Sequence, residues 1–281
     1  MSFTAINLDR LTAPEIIEQL DFATIFAARK ARLIELAPDL APVLGLQSEP
    51  LVQVLQEGSY RALMLRKAVQ DAARGNMLAY ATGDALDHLA AFYGVARQIV
   101  QAADPNPTPP TDAVMEDDTR LRARAQLAPE GMTTAGTIGS YKFWALSASS
   151  EVRDVAVLET ANPGEVRLVV LSTQGDGTAS AGLLAMVDTV ATAHRPLTDL
   201  VMVEAAPILS FEVTAELTIL HGPDGELVRQ VAETAVQSYV SDQQGLGRDI
   251  TIAGLHAALF QEGVQDVTLL APSQSLRVSA D

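Results

Sequence analysis

The residues able to do chemistry are few and scattered. Four histidines occur, at His88, His194, His221 and His256, and none stands at HExxH or HxH spacing, so no pair is set to share a metal ion. His88 and His256 fall in helical patterns, where a satisfied core or surface imidazole is the ordinary reading. His194 precedes Arg195-Pro196 at a helix end, where partial positive charge suits the dipole. Gly177-Thr178-Ala179-Ser180-Ala181-Gly182 approaches the nucleophile elbow GxSxG but misses its register, because two residues separate Gly177 from Ser180. Gly175 and Gly177 follow a strand pattern and precede a helix, as in a dinucleotide loop. The third glycine is misplaced at Gly182, and the expected acidic partner is absent. Gly245-Leu246-Gly247-Arg248 lacks the Gly-Lys-Ser/Thr ending of a phosphate loop. Asp117 and Asp118 offer two carboxylates for cation or acid–base work. As first-turn residues beside Arg120, Arg122 and Arg124, they read as structural, meeting the positive end of the dipole. Nothing here converges on a reaction, so no catalytic residue, metal ligand or cofactor is assigned.

Composition narrows the classes further. The chain has 281 residues, enough for two or three domains with real cores, and 48% hydrophobic content opposes disorder. Aromatics make up only 5%, which with abundant alanine suits closely packed helices. A net charge of −16 opposes binding to nucleic acid and to anionic lipid. The absence of cysteine excludes disulfides, thiolate metal sites and cysteine nucleophiles. The start, MSFTAINLDR, has no apolar run or cleavage signature, and no apolar stretch reaches membrane-spanning length. The expectation is a protein folded and assembled in a cytoplasm.

The elements that would position these residues follow from periodicity. Phe22, Ile25, Phe26, Leu33 and Leu36 make a helical stripe with Asp21 as its cap, and Pro38 and Pro42 interrupt after it. Over 81–97, Asp84 opens a helix whose Leu86, Leu89, Ala90 and Tyr93 share a face, and Gly94 stands where a left-handed residue ends it. Prolines at 105, 107, 109 and 110 predict a spacer or extended arm over 101–116. Helix is expected again from Asp117, with a glycine-punctuated turn at Gly131, Gly136 and Gly139 before Tyr141–Leu146 resumes. From Val152 the period changes to strand, strand, helix, strand, with an Asn162-Pro163-Gly164 turn. A second such unit opens with the clearest half-buried strand, where Phe211, Val213, Ala215, Leu217 and Ile219 alternate with polar residues. His221-Gly222-Pro223 turns, a helix carries Val228 to Tyr239, Asp249 caps a shorter one, and Val264–Leu270 closes as a strand. The fold class read from this is α+β: a helical N-terminal region, then two small α+β domains with mixed or antiparallel sheets. The expected boundaries are 1–100 helical with a bundle-forming helix, 101–116 linker, 117–150 helical joining segment, 151–206 first α+β domain and 207–281 second.

One helix stands apart. From Ser48, a possible cap with Pro50 in the first turn, residues Leu51, Leu55, Gly58, Ala62, Leu65, Val69 and Ala72 fall alternately four and three apart. That spacing lays one narrow apolar seam along a helix, the pattern that packs against other helices. It serves an ordinary core helix or a partner-helix interface, and these seven residues are the candidate interface.

Several segments, in order, resemble the baseplate J-like family of contractile-tailed phages and related injection machines. They are ATGDALDHLAAFYGVAR at 81–97; DDTRLRAR at 117–124 with Ala135-Gly136-Thr137 and Tyr141; VRDVAV at 152–157 with PGEVRLVVLS at 163–172; His194-Arg195-Pro196 leading to the strand at 199–203; and GRDI at 247–250 with EGVQDV at 262–267. The N-terminal DFATIFAARKARL is similar as well. The resemblance implies a structural wedge component, linking hub, sheath and neighbouring wedges, in the baseplate of a virion or injection particle. Its implied partners are other wedge proteins, a second copy of itself, and hub and sheath components, with the seam helix in a shared bundle. It brings no catalytic residues. Two other readings stand beside it: a small-ligand or hydrolytic enzyme with the 174–177 loop as its site, and a tail assembly chaperone absent from the finished particle.

Overall fold

In a computed structural model, which describes residues 6–14, 21–222 and 224–278, the chain folds as two compact units. One holds the described residues before Arg97 together with Asp117–Ala125; the other holds Arg97–Glu116 and the described residues from Gln126 on.

The first unit is helical. Helix α1 (Phe22–Leu36) starts where Asp21 accepts the Thr24 amide at 2.7 Å, the cap its sequence predicts. Helix α2 (Pro50–Gly75) has Pro50 at its first turn, but its cap residue is Glu49, whose side chain makes no capping bond; Ser48 lies outside the helix. Helix α3 (Gly83–Phe92) begins after Thr82, so Asp84 sits inside the first turn instead of opening it. It ends as expected: Gly94 takes φ +73°, and the Val95 amide reaches back to the Ala90 carbonyl at 3.0 Å. Leu86 and Ala90 are fully buried on its inner face. Helix α4 (Asp118–Gly131) belongs to this unit through Ala125.

In the second unit the proline-rich segment folds back on itself. Strand β1 (Ile99–Gln101) pairs antiparallel with β2 (Val114–Met115), and Asp104 bridges Thr111 between them. Helix α5 (Ile138–Ala148) takes in Gly139 as a buried helical residue, not a turn, because its bare Cα lies against Glu130. Strand β3 (Val152–Glu159) pairs antiparallel with β4 (Glu165–Ser172), and β4 pairs parallel with β5 (Leu200–Ala205) after the crossover helix α6 (Ala181–His194). The central strand is buried continuously from Leu168 to Ser172, as a strand covered on both faces must be. On one face Leu168 and Val170 meet Tyr141, Trp144, Leu183 and Val187. On the other, Val169 and Leu171 meet Ala206, Ile208 and Leu246.

The last elements are β6 (Thr214–Ile219), α7 (Gly225–Gln243), α8 (Ile252–Leu259) and β7 (Val264–Ala271). β6 and β7 form an antiparallel pair whose core includes Val228, Val236, Leu255 and Val264. The expected strand from Phe211 is shorter than its periodicity, because β7 ends at Ala271 opposite Thr214 and Pro272 follows. The cap of α8 is Thr251; Asp249 instead accepts the Val278 amide. Of the turn expected at His221-Gly222-Pro223, Pro223 lies outside the described residues. The class is α+β, with a helical N-terminal region followed by two small α+β layers, one sheet mixed and one antiparallel.

Candidate functional site

The seam residues share one face of the helix, which is partly covered along its first half and open along its second. Helix α1 packs along α2, and there Val52 is buried while Leu51, Leu55, Gly58 and Ala62 are half-buried. Gly58 faces α1 directly, since a Cβ at that position would stand 2.3 Å from the Arg29 guanidinium. Further along, the cover ends. Leu65 is 70% exposed, Val69 54% exposed, and Ala72 is exposed too. Val54, outside the seven seam residues, is 67% exposed. At about 100° per residue, Val54, Leu65, Val69 and Ala72 lie within roughly 60° of one another on the helix wheel. Val54 stands three after Leu51 and four before Gly58, so it fits the spacing as well as Leu55 does, and spacing alone does not choose between them. Leu65, Val69 and Ala72, exposed together on successive turns, are a candidate interaction surface.

The motif residues meet one another instead of converging on a reaction centre. Asp118 accepts the Gly83 amide at 3.1 Å, and Asp117 accepts the Arg120 amide at 2.9 Å. Arg122 donates to the Leu78 carbonyl at 2.8 Å and the Ala81 carbonyl at 2.7 Å, while Arg124 donates to Ala96 at 3.3 Å. The 117–124 segment thus grips both ends of the 81–97 segment. The two aspartates act in hydrogen bonding at helix starts, and both carboxylates are engaged.

A second clamp joins the α4–α5 turn to the end of α6. Tyr141, fully buried, donates its hydroxyl to Asp199 Oδ2 at 2.7 Å. Arg195 donates to the Asp199 carbonyl. Gly136, at φ +66°, leaves room that a Cβ would take from Asp199 and Pro196, each 2.8 Å away. His194 bonds the Val190 carbonyl at 2.8 Å and stacks on Trp144 at 5.4 Å between ring centroids. Burial first, and then the Asp199 hydrogen bond, push the Tyr141 hydroxyl well above its ordinary value of 10.0.

A third clamp binds the two α+β layers. Arg153 on β3 donates to the Gln244 carbonyl at 2.9 Å and the Ser241 carbonyl at 2.8 Å, at the C-terminal end of α7. Its neighbour Asp154 pairs with Lys142 at 2.9 Å and accepts the Leu246 amide at 3.2 Å. On the central strand Arg167 reaches Glu204 of β5 at 2.8 Å.

The remaining chemistry-bearing residues stay apart. His88 is exposed on α3, and His256 is half-buried on α8. Asp176 in the 174–177 loop accepts the Thr178 amide at 2.9 Å, and that bond holds its carboxyl below the usual range. Ser180 caps α6 by accepting the Leu183 amide at 3.2 Å, as a capping serine does. Among the described residues, no group of three or more histidine or carboxylate side chains is placed to hold a metal ion, and no helix is long and apolar enough to cross a membrane.

Residues 47–104 match the Baseplate J-like N-terminal domain, and residues 133–205 match the Baseplate J-like central domain. The chain is 42% identical to Baseplate protein J of Escherichia phage P2 over 274 residues, covering 95% of this chain and 90% of that protein.

Proposed function

We infer the function of this chain from one premise: it belongs to the baseplate J-like family. It is a structural protein of a phage-type baseplate. Within the baseplate we assign it to the wedge, where it links hub, sheath and neighbouring wedges and passes on the movement that releases contraction. It does this by rigid-body displacement about interfaces, without turning over a substrate.

The observation that carries this reading is the exposed stripe on α2. Leu65 and Val69 stand in solvent on a 26-residue helix that is buried at Val52, Ser59 and Gln70. Helices in proteins gain most of their stability by packing an apolar face, and in this reading other helices complete the stripe. Of the seam Leu51, Leu55, Gly58, Ala62, Leu65, Val69 and Ala72, the last three, with Val54, are the candidate interface; the first four lie where α1 packs. The partners at that interface are a second copy of the chain and another wedge protein. A shared bundle of this type buries upward of ~2,000 Å². The proline-rich segment, folded into a bridged ribbon by Asp104 and Thr111, suits a strut. The junction at Ala206, whose amide bonds the Val170 carbonyl at 2.9 Å, is the complementary pivot.

Leu65→Asp tests the assignment. The substitution sits on an exposed side chain, so the isolated chain keeps its fold, while wedge assembly and particle yield collapse. Particles that assemble and contract normally with this change overturn the bundle. Mass spectrometry of purified particles finds the chain as a stoichiometric component; its absence there would instead mark an assembly chaperone.

A further inference from the structure

The β6 edge of the last α+β layer is unfinished. Phe211, Val213, Ala215, Leu217 and Ile219 are half-buried, while Glu212, Thr214, Glu216 and Thr218 are exposed, the alternation of a strand with one covered face. Only Thr214–Ile219 is paired, and only on one side, with β7. Among the described residues nothing pairs with the other edge, and residues 207–213 make no backbone hydrogen bond to another element. Backbone amides and carbonyls left this way beside an apolar wall are a template for another strand.

The inward side chains of the run open onto a cleft of about 890 Å³. Phe211, Val213, Ala215 and Leu217 line one wall, and Val236 and Val240 of α7 line the other. The two-stranded sheet is held by packing on α7 and α8, and its β6 edge stays open. The cleft is the space that the inward side chains of a third strand would occupy.

Charge selects the occupant. The outer face carries Glu212 and Glu216 on the run and Asp266 on β7. The run and β7 carry no lysine or arginine; of the cations lining the cleft, Arg229 is paired with Glu226 and Glu233, and Arg248 donates to the Asp242 carbonyl. Residues directly across a strand pair interact, and opposite charges there are favourable. A second copy would bring its own Glu212 and Glu216 to an already acidic face, on a chain of net charge −16.

We infer that the free edge of 211–219 receives an extended segment of a different protein, whose outward positions carry lysine or arginine and whose inward positions are apolar. The apolar positions enter the cleft, and the basic ones lie beside Glu212 and Glu216.

The test is amide hydrogen exchange on the full chain with a short capped peptide that alternates valine with lysine and threonine. A control peptide has glutamate in place of lysine. The lysine peptide slows exchange over 207–219 about tenfold or more, and the glutamate peptide does not. In the double variant Glu212→Lys, Glu216→Lys, both changes being on exposed side chains, the preference reverses. Absence of slowing by the lysine peptide overturns the inference. Equal slowing by both peptides, or a variant that keeps the original preference, overturns it as well. So does protection that grows with protein concentration alone, which would seat a second copy on the edge.

Discussion

The hydroxyl of Tyr141 donates to Asp199 Oδ2 at 2.7 Å across 58 positions of sequence. That bond ties the helix covering the mixed sheet to the turn that feeds its parallel edge strand. It explains why a glycine, a tyrosine and a His-Arg-Pro triplet travel together in this chain: Gly136 makes the space, Arg195 holds the Asp199 carbonyl, and Tyr141 closes the contact. Tyr141→Phe leaves the core filled but removes the bond. The expected loss is about 1–2 kcal/mol in denaturant unfolding, since the acceptor is charged and half-buried.

The same residue makes stability fall in alkali. The unfolded chain ionises this phenol near its ordinary value of 10.0, whereas the folded chain holds the proton to higher pH. Above about pH 10 the folded state binds more protons, so stability is full below that pH and declines as pH rises. Unfolding measured between about pH 9 and about pH 11 should show a shallower decline for Tyr141→Phe than for the parent chain. Equal slopes would show that the decline arises elsewhere.

Arg122 holds two carbonyls at once, Leu78 and Ala81, just before α3. A guanidinium forks to reach both, and an ammonium does not. Arg122→Ala is expected to cost about 2 kcal/mol, seen as a lower melting temperature. Arg122→Lys should recover less than half of it. Full recovery by lysine would mean that charge alone matters at this position.

Arg153 joins the two α+β layers by capping the end of α7 at Ser241 and Gln244. With Arg153→Ala, hydrogen exchange at 241–246 should quicken while exchange at the buried strand Leu168–Ser172 stays slow. Equal quickening at both places would show a global loss of stability instead of a loosened joint.

Much of this architecture was legible from local pattern. The Asp21 cap, the left-handed Gly94 and the crossover from β4 through α6 to β5 each depend on neighbours in sequence. The misreadings were decided at a distance. The strand expected from Phe211 begins at Thr214, because its partner β7 ends at Ala271. Asp249 gives its oxygen to Val278 and leaves the capping of α8 to Thr251. The proline run bends into a ribbon because Asp104 finds Thr111. The clamps were invisible for the same reason: Arg153 and Gln244 are 91 positions apart, and no periodicity connects them. The seam was legible as a helix face, but its division into a covered and an open part depends on where α1 stops.

That division can be tested at Gly58. Its missing side chain points at Arg29 of α1, so it lies on the covered stretch of α2. A glycine inside a helix costs about 1 kcal/mol relative to alanine. The atom that a new Cβ would meet is the mobile end of an arginine, which can move aside. Gly58→Ala should therefore raise the melting temperature of the isolated chain and leave assembly into wedges unchanged. Val69→Asp, on the open stretch at 54% exposure, should do the reverse: melting within a degree or two of the parent, and no assembly. If Gly58→Ala blocked assembly while Val69→Asp allowed it, the partner helices would have to approach from the α1 side, and the open stripe would need another explanation.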